Sequence, residues 1–149
     1  MARLHVPVRT RWNDLDAYGH VNNAAMLVLL EEARIQAFWG TTELSAVSDP
    51  STLWLVARQE VEYLAPIPYQ GTPLDVQLWL GRLGGASLEV CYEVCSPLEV
   101  EPFAEYARAA STIVLVDAAT QRPRRISATE REAWTPYLDE PVVFTKRPA

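Results

Sequence analysis

Residues 23–39 read NAAMLVLLEEARIQAFW, and this stretch gives the strongest indication of the architecture. It contains no proline or glycine, and Gly40 follows at the position where helices commonly end. Asn22 or Asn23 can cap its start. The half from Ala24 to Leu30 is apolar on every side, which is typical of a helix that is buried all round. We therefore expect one long helix with other structure wrapped around it.

Strand-like segments flank this helix on both sides along the chain. Before it, Leu4, Val6 and Val8 occupy alternate positions, which is the period-two signature of a strand. After it, four further runs alternate in the same way over residues 53–64, 74–80, 86–95 and 104–117. One strand, one long helix and four consecutive strands predict an α+β domain whose antiparallel sheet curls around the helix.

The length and the composition predict one globular domain. The chain has 149 residues, of which 49% are hydrophobic and 21% charged, and we treat residues 1–149 as a single domain. Its core is expected over about residues 4–117. A capping box at residues 127–130 predicts a short helix. An irregular tail that contains several prolines is expected to complete the segment from about residue 127 to residue 149.

The charge and the cysteine content exclude several classes of function. A total of 13 Lys+Arg against 19 Asp+Glu gives a net charge of −6, which argues against nonspecific binding of nucleic acid. Cys91 and Cys95 stand about 13 Å apart in a predicted strand, too far for a disulfide, and this favours a reducing cytoplasm. The start of the chain does not resemble a signal peptide, and no apolar run approaches the roughly 20 residues that span a membrane. We therefore expect a cytoplasmic protein with no nucleic-acid or membrane partner.

The densest polar cluster of the sequence lies just before the helix and reads WNDLDAYGHVNN over residues 12–23. It places Asp16 and His20 four residues apart, next to a helix start whose free N–H groups and dipole attract negative charge. An acid/base group beside such an oxyanion site is the minimum for attack on a carbonyl. The alternative is an ordinary capped loop, in which Asp16 and Asn23 only satisfy backbone groups.

The block DLDAYGHVNN at residues 14–23, with the apolar stretch and the Glu31–Arg34 segment that follow, resembles the hotdog-fold acyl-CoA thioesterases. It is most similar to the 4-hydroxybenzoyl-CoA thioesterase-like group and its long-chain acyl-CoA branch. The segment RQEVEYLAP at residues 58–66 also resembles this group. The resemblance implies a hotdog fold, an antiparallel sheet wrapped around one central helix. It further implies a homodimer or homotetramer, with sheets joined edge to edge and active sites at the interface.

The resemblance also implies a reaction, the hydrolysis of an acyl-CoA thioester to the free acid and coenzyme A. It identifies Asp16 as the general base or the nucleophile. The backbone N–H of Asn23, at the helix start, would hold the thioester oxygen, and Gly19 would let the backbone approach the acyl group. His20 is a further catalytic candidate that would position Asp16 or act as an acid. No metal and no bound cofactor are implied.

Substrate contacts are predicted from residue type and position. Tyr18 and Asn22 lie within the motif and can contact the substrate, although Asn22 is also suited to be a simple helix cap. The anionic part of coenzyme A needs cations, and Arg58, Arg82 and Arg124 offer the paired hydrogen bonds that phosphates accept. The sequence leaves the identity of the acyl chain open.

Three alternatives stay open at this point. Asp16 and His20 can instead serve a hotdog 3-hydroxyacyl dehydratase or hydratase, which needs a histidine and a carboxylate. The chain can also be a noncatalytic module that binds acyl-CoA or acyl carrier protein. Glu31 and Glu32 are alternative catalytic carboxylates on the helix, where an ion pair between Glu31 and Arg34 is the simpler interpretation.

Overall fold

A computed structural model of the chain describes residues 2–40, 42, 44–45 and 49–145. Its strands and α-helices follow one another as β1 (Leu4–Val8), α1 (Asn23–Trp39), β2 (Thr52–Tyr63), β3 (Leu74–Leu83), β4 (Ser87–Cys95), β5 (Glu105–Asp117) and α2 (Ala128–Trp134). Short 3-10 turns cover Trp12–Asp14 and Thr135–Tyr137. The predicted order of one strand, one long helix, four strands and a short helix is confirmed.

The five strands form one antiparallel sheet in the order β1-β3-β4-β5-β2. This arrangement confirms the predicted α+β class with an antiparallel sheet. β2 pairs only with β5 within the described residues, so it forms one edge of the sheet with twelve residues. The opposite edge is the short strand β1.

The face of the sheet that packs against α1, called the inner face, carries the hydrophobic core. Central-strand side chains such as Leu78, Val90 and Ile113 are completely buried there. The helix contributes Met26, Leu29, Leu30, Ala33, Ala37 and Phe38 to the same core. The removal of these apolar side chains from water is the main stabilising contribution to the domain.

The opposite, outer face of the sheet is covered in part by the C-terminal tail. Leu138 forms a bridge with Leu80 of β3, and the indole of Trp79 donates a hydrogen bond to the carbonyl of Glu140 at 2.9 Å. Trp79 and Cys91 are therefore buried although neither belongs to the core around α1. No helix within the described ranges is long and apolar enough to cross a membrane.

The prediction that the first half of α1 is buried on all sides is wrong for the single chain. Leu27 and Val28 are 39% and 45% exposed, whereas Met26 and Leu30 are almost completely buried. The reason is that the sheet covers only one side of the helix. The helix therefore presents apolar side chains on an open side as well, and these lack a partner within the described residues.

Candidate active site

The polar segment between β1 and α1 folds back around the carboxylate of Asp16. Its Oδ1 accepts hydrogen bonds from the backbone N–H of Tyr18 at 2.8 Å and from that of His20 at 3.2 Å. The N–H of Gly19 donates to the carbonyl of Asp16, and Gly19 has a φ of 77°, a region that only glycine enters readily. The second oxygen, Oδ2, accepts no hydrogen bond from the described residues and is available to a ligand or a water.

The neighbouring carboxylate, Asp14, stabilises the loop. It is buried and accepts hydrogen bonds from the backbone N–H of Arg11 at 2.7 Å and from its guanidinium at 3.0 and 3.3 Å. The carbonyl of Asp14 also accepts from the N–H of Asn22 at 2.7 Å. These contacts tie the start of the loop to the start of α1, so Asp14 has a structural role.

The start of α1 presents a backbone donor that has no partner among the described residues. The side-chain oxygen of Asn22 caps the helix by accepting from the N–H of Ala24 at 2.8 Å. The N–H of Asn23, the first helical residue, has no acceptor within the described ranges. A free N–H at the positive end of a helix is suited to stabilise an oxyanion.

Tyr63, at the end of β2, is a site residue that sequence reasoning missed. Its hydroxyl donates to the carbonyl of Asn23 at 2.7 Å and thereby ties the helix start to the edge strand. The two residues are 40 positions apart, so the motif before the helix gives no hint of this contact. The signal in the sequence is the place of Tyr63 at the end of a long alternating run.

A cavity of about 400 Å³ lies where these groups meet. Asp16, His20 and Asn23 line its polar part. Its other walls include Val21, Met26, Tyr63, Leu64, Pro66 and Ile67. The imidazole of His20 forms no hydrogen bond with any described residue, so it is available to a bound molecule. A mainly apolar pocket with a few converging polar groups is typical of a small-molecule site.

Three other predicted motif residues do not line this cavity in the single chain. The side chain of Tyr18 is 84% exposed, and the residue contributes its N–H to Asp16 instead. Asn22 acts as the helix cap. A Cβ at Gly19 would meet no atom within 4 Å, so the positive φ explains the glycine within the chain.

The predicted phosphate-binding arginines also lie outside the cavity. Arg58, on β2, has a side chain that is 77% exposed, and Arg82, on β3, is exposed as well. Arg124 is engaged internally, since its guanidinium donates to both oxygens of Glu130 at 2.7 Å. It also donates to the hydroxyl of Thr52 at 2.7 Å. A phosphate would have to displace a carboxylate to bind Arg124.

We expect Arg124→Met to lower stability without a selective effect on substrate binding. Burial alone raises the pKa of Glu130, but hydrogen bonds from Arg124 and Ser127 and the charge of Arg124 outweigh it and hold the pKa below its usual value. Removing the cation leaves a buried carboxylate that has no counter-ion and keeps only the hydrogen bond from the N–H of Ser127, which costs about 3 kcal/mol at neutral pH. The stabilisation that the ion pair between Arg124 and Glu130 provides is lost as the pH falls through the lowered pKa of Glu130. The difference in free energy of unfolding between the variant and the wild type should therefore shrink in acid.

Urea unfolding of both proteins across this pH range measures the effect, with the exposed Arg122→Met as the control. Unchanged stability together with a raised KM would instead identify Arg124 as a phosphate ligand.

The alternative carboxylates on the helix are not part of the cavity. Glu31 and Glu32 are exposed. The expected ion pair between Glu31 and Arg34 is not found among the described residues, because Arg34 lies on the buried side of α1. Its guanidinium donates to the hydroxyl of Tyr92 at 3.0 Å.

Metal ligands are not clustered in the part of the chain that the structure describes. No group of three or more histidine, cysteine, aspartate or glutamate side chains that could hold a metal ion occurs there. Cys91 and Cys95 are unpaired and buried, and burial raises the pKa of each thiol to about 12. These thiols stay protonated at neutral pH and are poor ligands and nucleophiles.

Comparisons with known proteins identify the family. The sequence model of the thioesterase-like superfamily matches residues 10–135, which include the Asp16 loop, α1 and strands β2 to β5. A sequence relative, the uncharacterized protein YsmA of Bacillus subtilis (strain 168), is 29% identical over 129 residues, covering 86% of this chain and 81% of YsmA.

Solved structures show the same similarity. A predicted thioesterase from Bacillus stearothermophilus superposes with a TM-score of 0.77 at 25% identity, over 95% of this chain and 100% of that chain. A thioesterase from Thermus thermophilus, complexed with coenzyme A and Zn, gives a TM-score of 0.69 at 30% identity, over 91% of this chain and 92% of its own. The chain therefore belongs to the thioesterase-like superfamily, and its sheet and helix form the hotdog fold of that family.

Proposed function

We propose that this protein hydrolyses acyl-CoA thioesters to a free acid and coenzyme A. The observation that carries the proposal is that Asp16, with one free carboxylate oxygen, and Asn23, with an unpartnered N–H, line the same cavity. Membership of the thioesterase-like superfamily supports this reaction. The similar thioesterase that was solved with coenzyme A supports coenzyme A as the carrier of the acyl group.

In the proposed reaction, the N–H of Asn23 donates a hydrogen bond to the thioester carbonyl oxygen. The carbonyl carbon is attacked either by a water that Asp16 deprotonates or by the Asp16 carboxylate itself, and negative charge moves to the oxygen. One backbone donor at this position stabilises the transition state by about 3 kcal/mol. The C–S bond then breaks, and His20, which lines the cavity, can protonate the departing thiolate. On the general-base route this step releases the free acid; on the nucleophilic route it leaves an acyl–Asp16 anhydride, which a water then hydrolyses to the acid and the Asp16 carboxylate.

The active form in this proposal is a homodimer joined along β2. This strand is a long, exposed sheet edge, and its side chains Leu55 and Val56 are 49% and 42% exposed. An uncovered apolar edge strand pairs readily with another chain. Two copies related by a twofold axis would pair their β2 strands in antiparallel fashion and close the assembly. The open apolar side of α1, at Leu27 and Val28, is the second surface that a partner subunit would cover.

Exposed arginines are proposed to bind the anionic nucleotide of coenzyme A. Arg58 and Arg82 are exposed and can donate paired hydrogen bonds to a phosphate. Arg124 is not included in this proposal, because its guanidinium already donates to both oxygens of Glu130.

A cytoplasmic location completes the proposal. Cys91 and Cys95 are both unpaired, although both are buried and protected from solvent. Free thiols are the usual state of cysteine in a reducing compartment.

Release of thiol from a panel of aryl-CoA and fatty acyl-CoA thioesters tests the proposed reaction. Hydration of an enoyl-CoA is assayed in parallel, because a dehydratase or hydratase would use the same pair of residues. We expect thiol release from a subset of the panel and no hydration. Hydration without thiol release contradicts the proposal and favours the dehydratase, while tight binding without either reaction favours a binding module.

A further inference from the structure

A chain of hydrogen bonds runs from the middle of α1 through the sheet to its edge. The guanidinium of Arg34 donates to the hydroxyl of Tyr92 at 3.0 Å, and this hydroxyl donates to that of Ser111 at 3.2 Å. Ser111 in turn donates to the side-chain oxygen of Gln59 at 3.1 Å. The first three residues are buried, whereas Gln59, on edge strand β2, is exposed. The chain therefore connects a buried cation to an exposed amide.

Each hydroxyl in this chain accepts from the group before it and donates to the group after it. A guanidinium can only donate, so Tyr92 accepts from it and has its own proton left for Ser111. Burial raises the pKa of Tyr92, which keeps that proton in place at neutral pH. Ser111 donates its own proton to the oxygen of the Gln59 amide. The amide nitrogen of Gln59 is consequently turned away from the chain, and no described residue accepts a hydrogen bond from it.

The charge of Arg34 should strengthen the donor at the far end. No carboxylate within the described ranges forms an ion pair with this buried side chain. Its field therefore acts on the hydroxyls bonded to it, and hydrogen bonds in such a chain polarise one another. The amide of Gln59 is thus held by Ser111 in one orientation.

Gln59 lies on the inner face of β2, on the same face as Tyr63 of the active-site cavity. Gln59 is paired with Ser111 and Tyr63 with Ala107, and both partners belong to the buried inner face of β5. Four residues of extended strand separate the two side chains, which corresponds to about 13 Å. The start of α1 lies at the Tyr63 end of this path, because the Tyr63 hydroxyl donates to the first helical carbonyl.

Apolar side chains occur on β2 and on α1 next to the cavity. Val61, between the two ends on β2, packs against the core. On α1, Leu27 is 39% exposed and follows Asn23 by one turn. An acyl chain that leaves the cavity along the inner face of β2 would meet the amide of Gln59 about 13 Å from Tyr63.

We propose that Gln59 is a specificity-determining residue that donates a hydrogen bond to a hydroxyl or carbonyl oxygen on the distal part of the acyl group. This inference rests on the proposed thioesterase function and specifies its substrate class, acyl-CoA thioesters oxygenated far from the thioester. Ser111 acts through Gln59 as a positioning residue, because it holds the amide oxygen inward.

Binding of matched ligands to the Asp16→Asn protein tests the proposal without requiring hydrolysis. The ligands are a length series of straight-chain acyl-CoAs, each paired with its ω-hydroxy derivative and titrated by calorimetry. We expect a chain length at which the hydroxyl tightens binding about five- to tenfold, the usual contribution of one hydrogen bond. Gln59→Met should abolish this gain, and Ser111→Ala should reduce it because the amide can then rotate. Glu60→Gln, on the outer face of the same strand, is the control that should retain it.

Two outcomes would overturn the proposal, whether or not the wild type hydrolyses thioesters. One is that the hydroxyl gives no gain at any chain length, or a gain that Gln59→Met retains. The other is that Gln59→Met weakens self-association in sedimentation experiments while the wild type binds both members of each pair equally. In that case the amide contacts a second subunit. If no thiol is released from any thioester, that result contradicts the proposed hydrolysis. It does not contradict the binding of a distal oxygen by Gln59, which the calorimetry measures separately.

Discussion

Replacement of Asp16 by asparagine should lower kcat for thioester hydrolysis at least about a hundredfold, the scale of a general-base contribution. The amide has the size of the carboxylate, and its oxygen can still accept from the N–H groups of Tyr18 and His20. The loop and the cavity should therefore keep their shape, and KM should change little. The amide cannot take a proton from water and is a poor nucleophile, so the chemical step alone is slowed. Steady-state kinetics on the best substrate of the panel measure the loss.

Glu31→Gln and Glu32→Gln are matched controls for this experiment. Each also replaces a carboxylate by an amide, but both glutamates are exposed and lie outside the cavity. We expect both controls to retain activity. If Asp16→Asn stays active while one of the glutamine variants loses activity, the catalytic carboxylate lies on α1 and not in the loop.

A single turnover in isotopically labelled water then separates the two roles of Asp16. If Asp16 is the nucleophile, water attacks the acyl-aspartyl intermediate, and label found in the Asp16 carboxylate demonstrates that intermediate. If Asp16 is the general base, the label enters only the released acid.

The ends of α1 could be predicted from the sequence because local signals mark them. Asn22 supplies a side-chain acceptor for the N–H of Ala24, and Gly40 follows the last helical residue. The strand β1 could also be predicted from the sequence, since its buried residues Val6 and Val8 follow the expected alternation. Such signals depend on neighbours along the chain and need no knowledge of the tertiary structure.

The faces of β2 could not be predicted in this way. Simple alternation places Leu55 and Tyr63 on the same face. The pairing with β5 shifts register between Val56 and Arg58, so Leu55 pairs with Val114 and faces outward. A bulge of one residue moves every side chain before it to the opposite face of the sheet. The alternation of residues within a single strand does not reveal such a bulge.

The candidate site likewise contains residues that could be predicted from the sequence and contacts that could not. Asp16, His20 and Asn23 were predictable as neighbours because they belong to one contiguous motif. The contacts of Tyr63 and Arg34 depend on pairing between distant segments, and simple helix spacing favoured Glu31 as the partner of Arg34. Arg34 does not pair with Glu31, because its side chain lies on the stripe of α1 that packs against the sheet.

A negative charge at the edge of β2 should separate the proposed dimer. Val56 is 42% exposed in the single chain, so Val56→Asp should cost little in the monomer. In a dimer joined along β2, each of the two new carboxylates would lose water without gaining a partner, at a cost of about 3 kcal/mol each. The total of about 6 kcal/mol per dimer corresponds to association that is weaker by roughly four orders of magnitude. Sedimentation equilibrium measures the change, and Leu98→Asp, at an exposed apolar position in the loop between β4 and β5, is the control.

The same variant shows whether one chain suffices for activity. The cavity lies between the end of β2 and the start of α1, and both elements carry apolar surface that the single chain leaves open. We therefore expect the activity of Val56→Asp to follow the fraction of dimer and to recover as protein concentration rises. A monomeric variant with full activity would show that the site is complete in one chain. A variant that stays dimeric would exclude the β2 edge as the interface, because an unpaired carboxylate at Val56 is incompatible with a closely packed edge.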